Sequence, residues 1–220
     1  MNQAVLPESS PPKPLLRGVL HQVASFVALV AGALLVARTP SESQRQAALV
    51  YMVCLTTLFG VSGAYHVPTW TPRARQWMRR LDHAAIFLLI AGTYTPLSIA
   101  LGPEDGAMLR RVVWGGALAG VFQSVLWVTA PKPLIAVIYV VLGWSILPYL
   151  GRMYAAVGPW PLLLILGGGV LYSLGALVYA KKRPDPVPEV FGYHEVFHTL
   201  VIGAAVCHFA AVAGIVLRGA

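Results

Sequence analysis

Charge is what this sequence has least of. Only 11% of its 220 residues are Asp, Glu, Lys or Arg and 57% are hydrophobic, whereas a soluble globular chain carries roughly 25% charged residues. So little polar surface cannot coat a water-soluble particle, and the surplus apolar surface must face lipid or a partner, lipid being the favoured reading. Cysteine is almost absent, with Cys54 and Cys207 alone, which excludes a disulfide scaffold. Long charged heptads are missing, which excludes a coiled coil, and the apolar composition excludes disorder. Acidic residues are scarcest: 8 against 16 basic ones, for a net charge of +8. In a soluble protein that balance would suggest nucleic acid. Here the cations stand between apolar runs, as in the cytoplasmic loops of membrane proteins, and no basic strip interleaved with aromatics is present to stack bases. Membrane lipids, not nucleic acid, are the expected partners.

Seven uncharged runs are long enough to cross a hydrocarbon core of roughly 30 Å as helices. They are Val19 to Val36, Ala47 to Tyr65, Leu81 to Leu101, Val112 to Ala130, Leu134 to Leu150, Trp160 to Ala180 and Val196 to Leu217, and Asp82 is the one formal charge inside them. Gly and Pro mark the joints: Arg38 to Ser41, Pro68 to Arg80, Gly102 to Gly106, Pro131 to Pro133, Gly158-Pro159 and Lys181 to Glu189 all read as loops. The first fourteen residues are polar and Pro-rich and read as a disordered tail, leaving 15–220 as one seven-transmembrane domain. The first run is long for the apolar part of a signal peptide and no clear A-x-A site follows, so it counts as a span. The expected fold is all-α, a polytopic seven-helix membrane bundle. Small-residue stretches around Gly115, Gly116 and Gly120, and around Gly167 to Gly169 and Gly175, are expected at close helix contacts.

Orientation follows from the basic residues. One side holds Lys13, Arg17, Arg73, Arg75, Arg79, Arg80, Lys132, Lys181, Lys182 and Arg183, and the other Arg38, Arg45, Arg110, Arg111, Arg152 and Arg218. The heavier side belongs in the cytoplasm. That places the N-terminus in the cytoplasm and the C-terminus outside, in the cell (plasma) membrane.

Ionisable residues in apolar spans are costly and mark functional sites. Because spans alternate in direction, the end of the second, the start of the third and the start of the seventh share one side. His66, Asp82, His194 and His198 are placed there by topology alone. His194 and His198 are four residues apart, on one helical face, so two imidazoles can grip one cation. Ser62 precedes His66 by one turn. A third histidine from the second span completes a three-His site with an open fourth position, the form in which zinc activates a water, with Asp82 as the water-binding carboxylate. Imidazole and carboxylate without a nearby cysteine suit Zn2+. His21 and His83 fall on the same side and read as packing or interface residues, and His208, ten residues past His198, as a hydrogen-bonded core histidine. His194 to His198 also matches H-E-x-x-H, whose glutamate is the base of zinc proteases. In the last span the third ligand must come from upstream instead, and Glu195 reads as a solvated residue at the helix end more than as a base.

At these residues the chain resembles the hemolysin III branch of the progestin and adipoQ receptor family, which includes the adiponectin receptors and is distantly related to alkaline ceramidases. The residues that carry the resemblance are Ser62-Gly63-Ala64-Tyr65-His66, Leu81 to Phe87 with Gly92-Thr93-Tyr94-Thr95-Pro96, and Phe191 to His198. The resemblance implies a seven-helix bundle with the N-terminus inside and a zinc ion near the cytoplasmic leaflet. It implies zinc ligands at His66, His194 and His198 and a carboxylate holding the zinc-bound water at Asp82. Adiponectin receptors carry glutamine where this chain has Glu195, and the chain lacks their long N-terminal cytoplasmic domain.

The leading functional expectation is a zinc-dependent hydrolase of a lipid amide or ester, with Asp82 and Ser62 as catalytic groups. The alternatives are a receptor or regulatory protein whose zinc is structural or ligand-sensing, and a pore, for which a single charge in the spans offers little lining.

Overall fold

The computed structural model describes residues 13–127 and 129–218. Most of the tail expected over 1–14 lies outside the described residues. The elements are α1 (Val19–Arg38), α2 (Glu42–His66), α3 (Pro72–Ile99), α4 (Pro103–Leu126), α5 (Lys132–Gly143), a 3-10 turn (Leu147–Tyr149), α6 (Leu150–Val157), α7 (Pro159–Lys181) and α8 (Tyr193–Val216). The expected all-α membrane bundle is present. Five segments among the described residues are both long and apolar enough to cross a membrane: Val19–Arg38, Glu42–His66, Pro133–Val157, Pro159–Lys181 and Tyr193–Val216. The other two expected spans lie in α3 and α4, which are 28 and 24 residues long, ample length for a crossing. They are more polar, with Asp82 and His83 in one and Arg110, Arg111 and Gln123 in the other.

Two expected loops turn out to be largely helix. Pro72 to Arg80 and Pro103 to Gly106 form the first turns of α3 and α4. Proline suits a first helical position, where its missing N–H has no partner to lose. Thr71 caps α3 by accepting from the Ala74 N–H at 3.4 Å, and Glu104 and Asp105 sit at the positive end of the α4 dipole. The last helix also starts earlier than expected, at Tyr193.

The fifth span is broken. Pro148 lacks an N–H, and its ring opposes the carbonyl four residues back, so the helix stops at Gly143 and resumes at Leu150. Backbone groups freed inside an apolar bundle need partners. Tyr94 of α3 supplies both: its hydroxyl donates to the Gly143 carbonyl at 2.7 Å and accepts from the Ile146 N–H at 3.0 Å. The Trp144 indole donates to Ser173 of α7 at 3.0 Å.

Consecutive helices α1 to α4 pack side by side, α7 packs along α8, and α8 also meets α1, α2 and α3. Close approach is set by small residues: a Cβ on Gly120 would collide with the fully buried Phe87 ring, and one on Gly168 with His208. Gly115 and Gly167 face open space, so the packing expectation holds for their neighbours and not for them. Because α8 inserts against α1, α2 and α3, the end of α2, the start of α3 and the starts of α1 and α8 meet at one end of the bundle.

Candidate metal centre

Helix α2 ends on His66 and α8 opens with His194 and His198. Their ligand nitrogens, one from each ring, lie within 4.8 Å of one another. The Nε2 atoms of His66 and His194 are 3.2 Å apart, and the rings of His194 and His198, one turn apart on α8, meet edge to face with centroids at 4.5 Å. His194 and His198 are buried. Asp82, on the third turn of α3, places Oδ2 at 3.9 Å from His66 Nε2. The four residues grouped by helix alternation are thus together, and His208 is apart from them, its Nε2 bonded to the Ile165 carbonyl at 3.0 Å as expected of a core histidine.

These three histidines fit a metal ion. Ligand nitrogens about 2.0–2.1 Å from a tetrahedral first-row ion stand about 3.3 Å from each other, and the 3.2 Å between His66 and His194 has that spacing. The same approach also allows one N–H···N hydrogen bond, with one ring donating and the other accepting. The group holds no thiol, which suits a borderline cation better than a soft one.

His21, read from the sequence as a packing residue, belongs to the site. It is 3% exposed. Its Nδ1 and the Ser62 hydroxyl are hydrogen-bonded at 2.9 Å, and its ring lies flat on that of His198, with centroids 3.7 Å apart and planes 10° apart. Ser62 in turn neighbours the Asp82 carboxyl. Sequence spacing could not show this, because His21 sits alone on α1 and its partners are on α2 and α8. At His83 the backbone carbonyl accepts from the Tyr139 hydroxyl at 3.0 Å.

Glu195 is a second correction. It is fully buried rather than solvated. Arg17 donates from Nε to its Oε1 at 2.5 Å, and the Gly192 N–H donates to its Oε2 at 2.9 Å. One carboxylate oxygen therefore caps α8 and the other anchors the segment before α1. That segment is also held by Leu15 and Leu16 N–H groups on the Glu189 and Val190 carbonyls, at 2.9 and 3.1 Å, and by Lys13 Nζ on the Val67 carbonyl at 2.8 Å. With both oxygens engaged, the H-E-x-x-H glutamate is committed to structure.

Residues 9–209 match the Haemolysin-III related family. A hemolysin-3 homolog of Bacillus subtilis (strain 168) is 34% identical over 132 residues, 59% of this chain and 58% of that protein. Hemolysin-3 of Bacillus cereus is 28% identical over 87% of this chain and 86% of its own length. An adiponectin receptor protein of Drosophila melanogaster is 28% identical over 79% of this chain and 44% of its own.

Proposed function

The chain belongs to the Haemolysin-III related family, and from that premise we propose that it is a zinc-dependent membrane hydrolase of a lipid amide or ester. The observation that carries this reading is a three-member imidazole group, within a lipid-embedded bundle, beside a carboxylate and a hydroxyl. Structural zinc sites close with a fourth protein ligand, whereas catalytic ones keep three and leave a position open. The Lys and Arg bias supports setting this end of the bundle at the cytoplasmic face of the cell membrane.

His66, His194 and His198 would hold Zn2+, which when bound supplies a Lewis acid that polarises a carbonyl and brings the pKa of a water down to about 7. The chain's own groups do the rest. Asp82, next to His66, accepts the proton of the attacking water at its carboxylate and returns it to the leaving group. When His21 donates from Nδ1 to the Ser62 oxygen, the Ser62 hydrogen is left free to point at Asp82 or at a developing oxyanion. The packed rings of His21 and His198 keep that arrangement fixed, and the surrounding apolar helices keep bulk water out. A substrate with its reactive bond near the headgroup can enter from the leaflet, which accounts for a hydrolytic site within a helical bundle.

The likeness to a protein named as a receptor favours a second reading, in which the same three histidines hold a structural or sensing ion without turnover. Metal analysis of purified wild type and His66→Ala tests the ground common to both. Stoichiometric zinc in the wild type and its loss in the variant are expected; no stoichiometric zinc in the wild type would overturn both.

A further inference from the structure

The end of the bundle that holds the three histidines also gathers cations, and they exceed the anions available to them. Lys13 lies against Val67, the residue after His66, through the 2.8 Å bond from its Nζ to the Val67 carbonyl. The Arg75 guanidinium stands 5.9 Å from the ring centroid of Tyr65, the residue before His66. Arg17 completes the group on the α8 side, one of its nitrogens on Glu195. Lys13, Arg17 and Arg75 all lie within electrostatic range of the His66 ring. Among the described residues, Glu195 is the one carboxylate in contact with any of the three; neither Lys13 nor Arg75 has an ion-pair partner.

The accumulation is not explained by loop charge bias alone. That bias puts basic residues on one side of the membrane, and Arg73, two residues before Arg75 on α3, satisfies it. It does not draw an N-terminal lysine onto the end of α2 beside a second and a third cation. Burial first, and then the neighbouring Arg17 and Arg75 charges, depress the Lys13 ammonium from its ordinary value. Lys13 retains donors beyond the one it gives to Val67, and the Arg75 guanidinium, set over the Tyr65 ring, forms no hydrogen bond among the described residues. This is the donor chemistry that seats a phosphate.

We propose that Lys13 and Arg75, with Arg17 behind them, form a headgroup subsite for an anionic phosphate-bearing lipid, positioned so that the bond next to the headgroup lies at His66. This rests on the hydrolase reading and narrows its substrate class to lipids carrying a phosphate monoester or similarly anionic head, as against neutral lipids of the same chain length. The apolar exterior of α1, where Val23, Phe26, Val27 and Val30 are exposed, accepts the acyl chains.

The test separates binding from turnover. Full-length protein in neutral detergent is titrated with short-chain phosphatidic acid, with diacylglycerol of the same chains and with inorganic phosphate, and binding is read from thermal stabilisation, which rises with ligand concentration over Kd. Wild type is expected to bind the phosphatidic acid at least tenfold more tightly than the diacylglycerol, with the difference shrinking as salt is raised. Lys13→Glu/Arg75→Glu is expected to lose at least tenfold, while Lys13→Arg/Arg75→Lys and Arg73→Glu retain it. Equal binding of the two lipids, or unchanged binding in the charge-reversed variant, would overturn the subsite. Inorganic phosphate binding as tightly as the lipid would show a soluble-anion site and overturn the headgroup assignment. Selective lipid binding without hydrolysis would remove the hydrolase and leave the subsite standing; hydrolysis of neutral lipids with no preference for the anionic head would do the reverse.

Discussion

The Nε2 atoms of His66 and His194 face each other at 3.2 Å across 128 residues of sequence. By themselves the two rings can share one N–H···N hydrogen bond, one donating and the other accepting. The contact is sustained by α8 being packed against α2, and it brings two ring nitrogens to one point, with His198 one turn away on α8. What surrounds that point determines what each neighbouring residue is worth.

His21 contributes through others, by orienting Ser62 and by covering His198. Outer partners of this kind change metal affinity by about 10–100-fold when removed. His21→Ala is therefore expected to weaken zinc in a chelator competition by about that factor while one ion per chain still binds at saturation. An affinity equal to the wild type would make His21 a packing residue after all.

The Arg17–Glu195 pair should show an asymmetry. Glu195 is fully buried whereas the Arg17 side chain is 21% exposed. Arg17→Ala strands a buried carboxylate and is expected to cost about 3–5 kcal/mol. Glu195→Gln can still cap Gly192 and leaves a cation that reaches water, so its cost should be well below that. Thermal unfolding of the two variants gives the order directly. Zinc-loaded Glu195→Gln is also expected to hydrolyse lipid at close to the wild-type rate; a collapse would restore the glutamate as the base.

At the break in the fifth span, Tyr94→Phe removes the partner of two backbone groups. Each buried group left unsatisfied costs about 1–3 kcal/mol. The variant should lose thermal stability with its zinc content unchanged, since the break is remote from the three histidines. No change in melting would mean that the freed groups find water or each other.

The sequence made the three-His site legible because two independent periodicities converge on it: the alternation of spans gave the depth, and the four-residue spacing of His194 and His198 gave the face. The limits were equally physical. The role of Glu195 depends on the segment before α1 docking onto the start of α8, and that of His21 on α1 meeting α2 and α8, contacts that no local spacing encodes. At the starts of α3 and α4, proline carries two opposite signals, since it breaks a helix from within, while at a first helical position it favours a helix start, as acids in the first turn do in α4. The interruption of the fifth span had a signal in Pro148, but its repair by Tyr94 came from a helix fifty residues away.

Lipid hydrolysis by zinc-loaded wild type and Asp82→Ala, with metal content measured on the same samples, tests the central claim most directly. The account predicts turnover in the wild type and a fall of about 10²-fold or more in kcat for the variant, with zinc retained because the three histidines are intact. Equal rates in the two proteins, or no hydrolysis by a wild type that carries stoichiometric zinc, would contradict it.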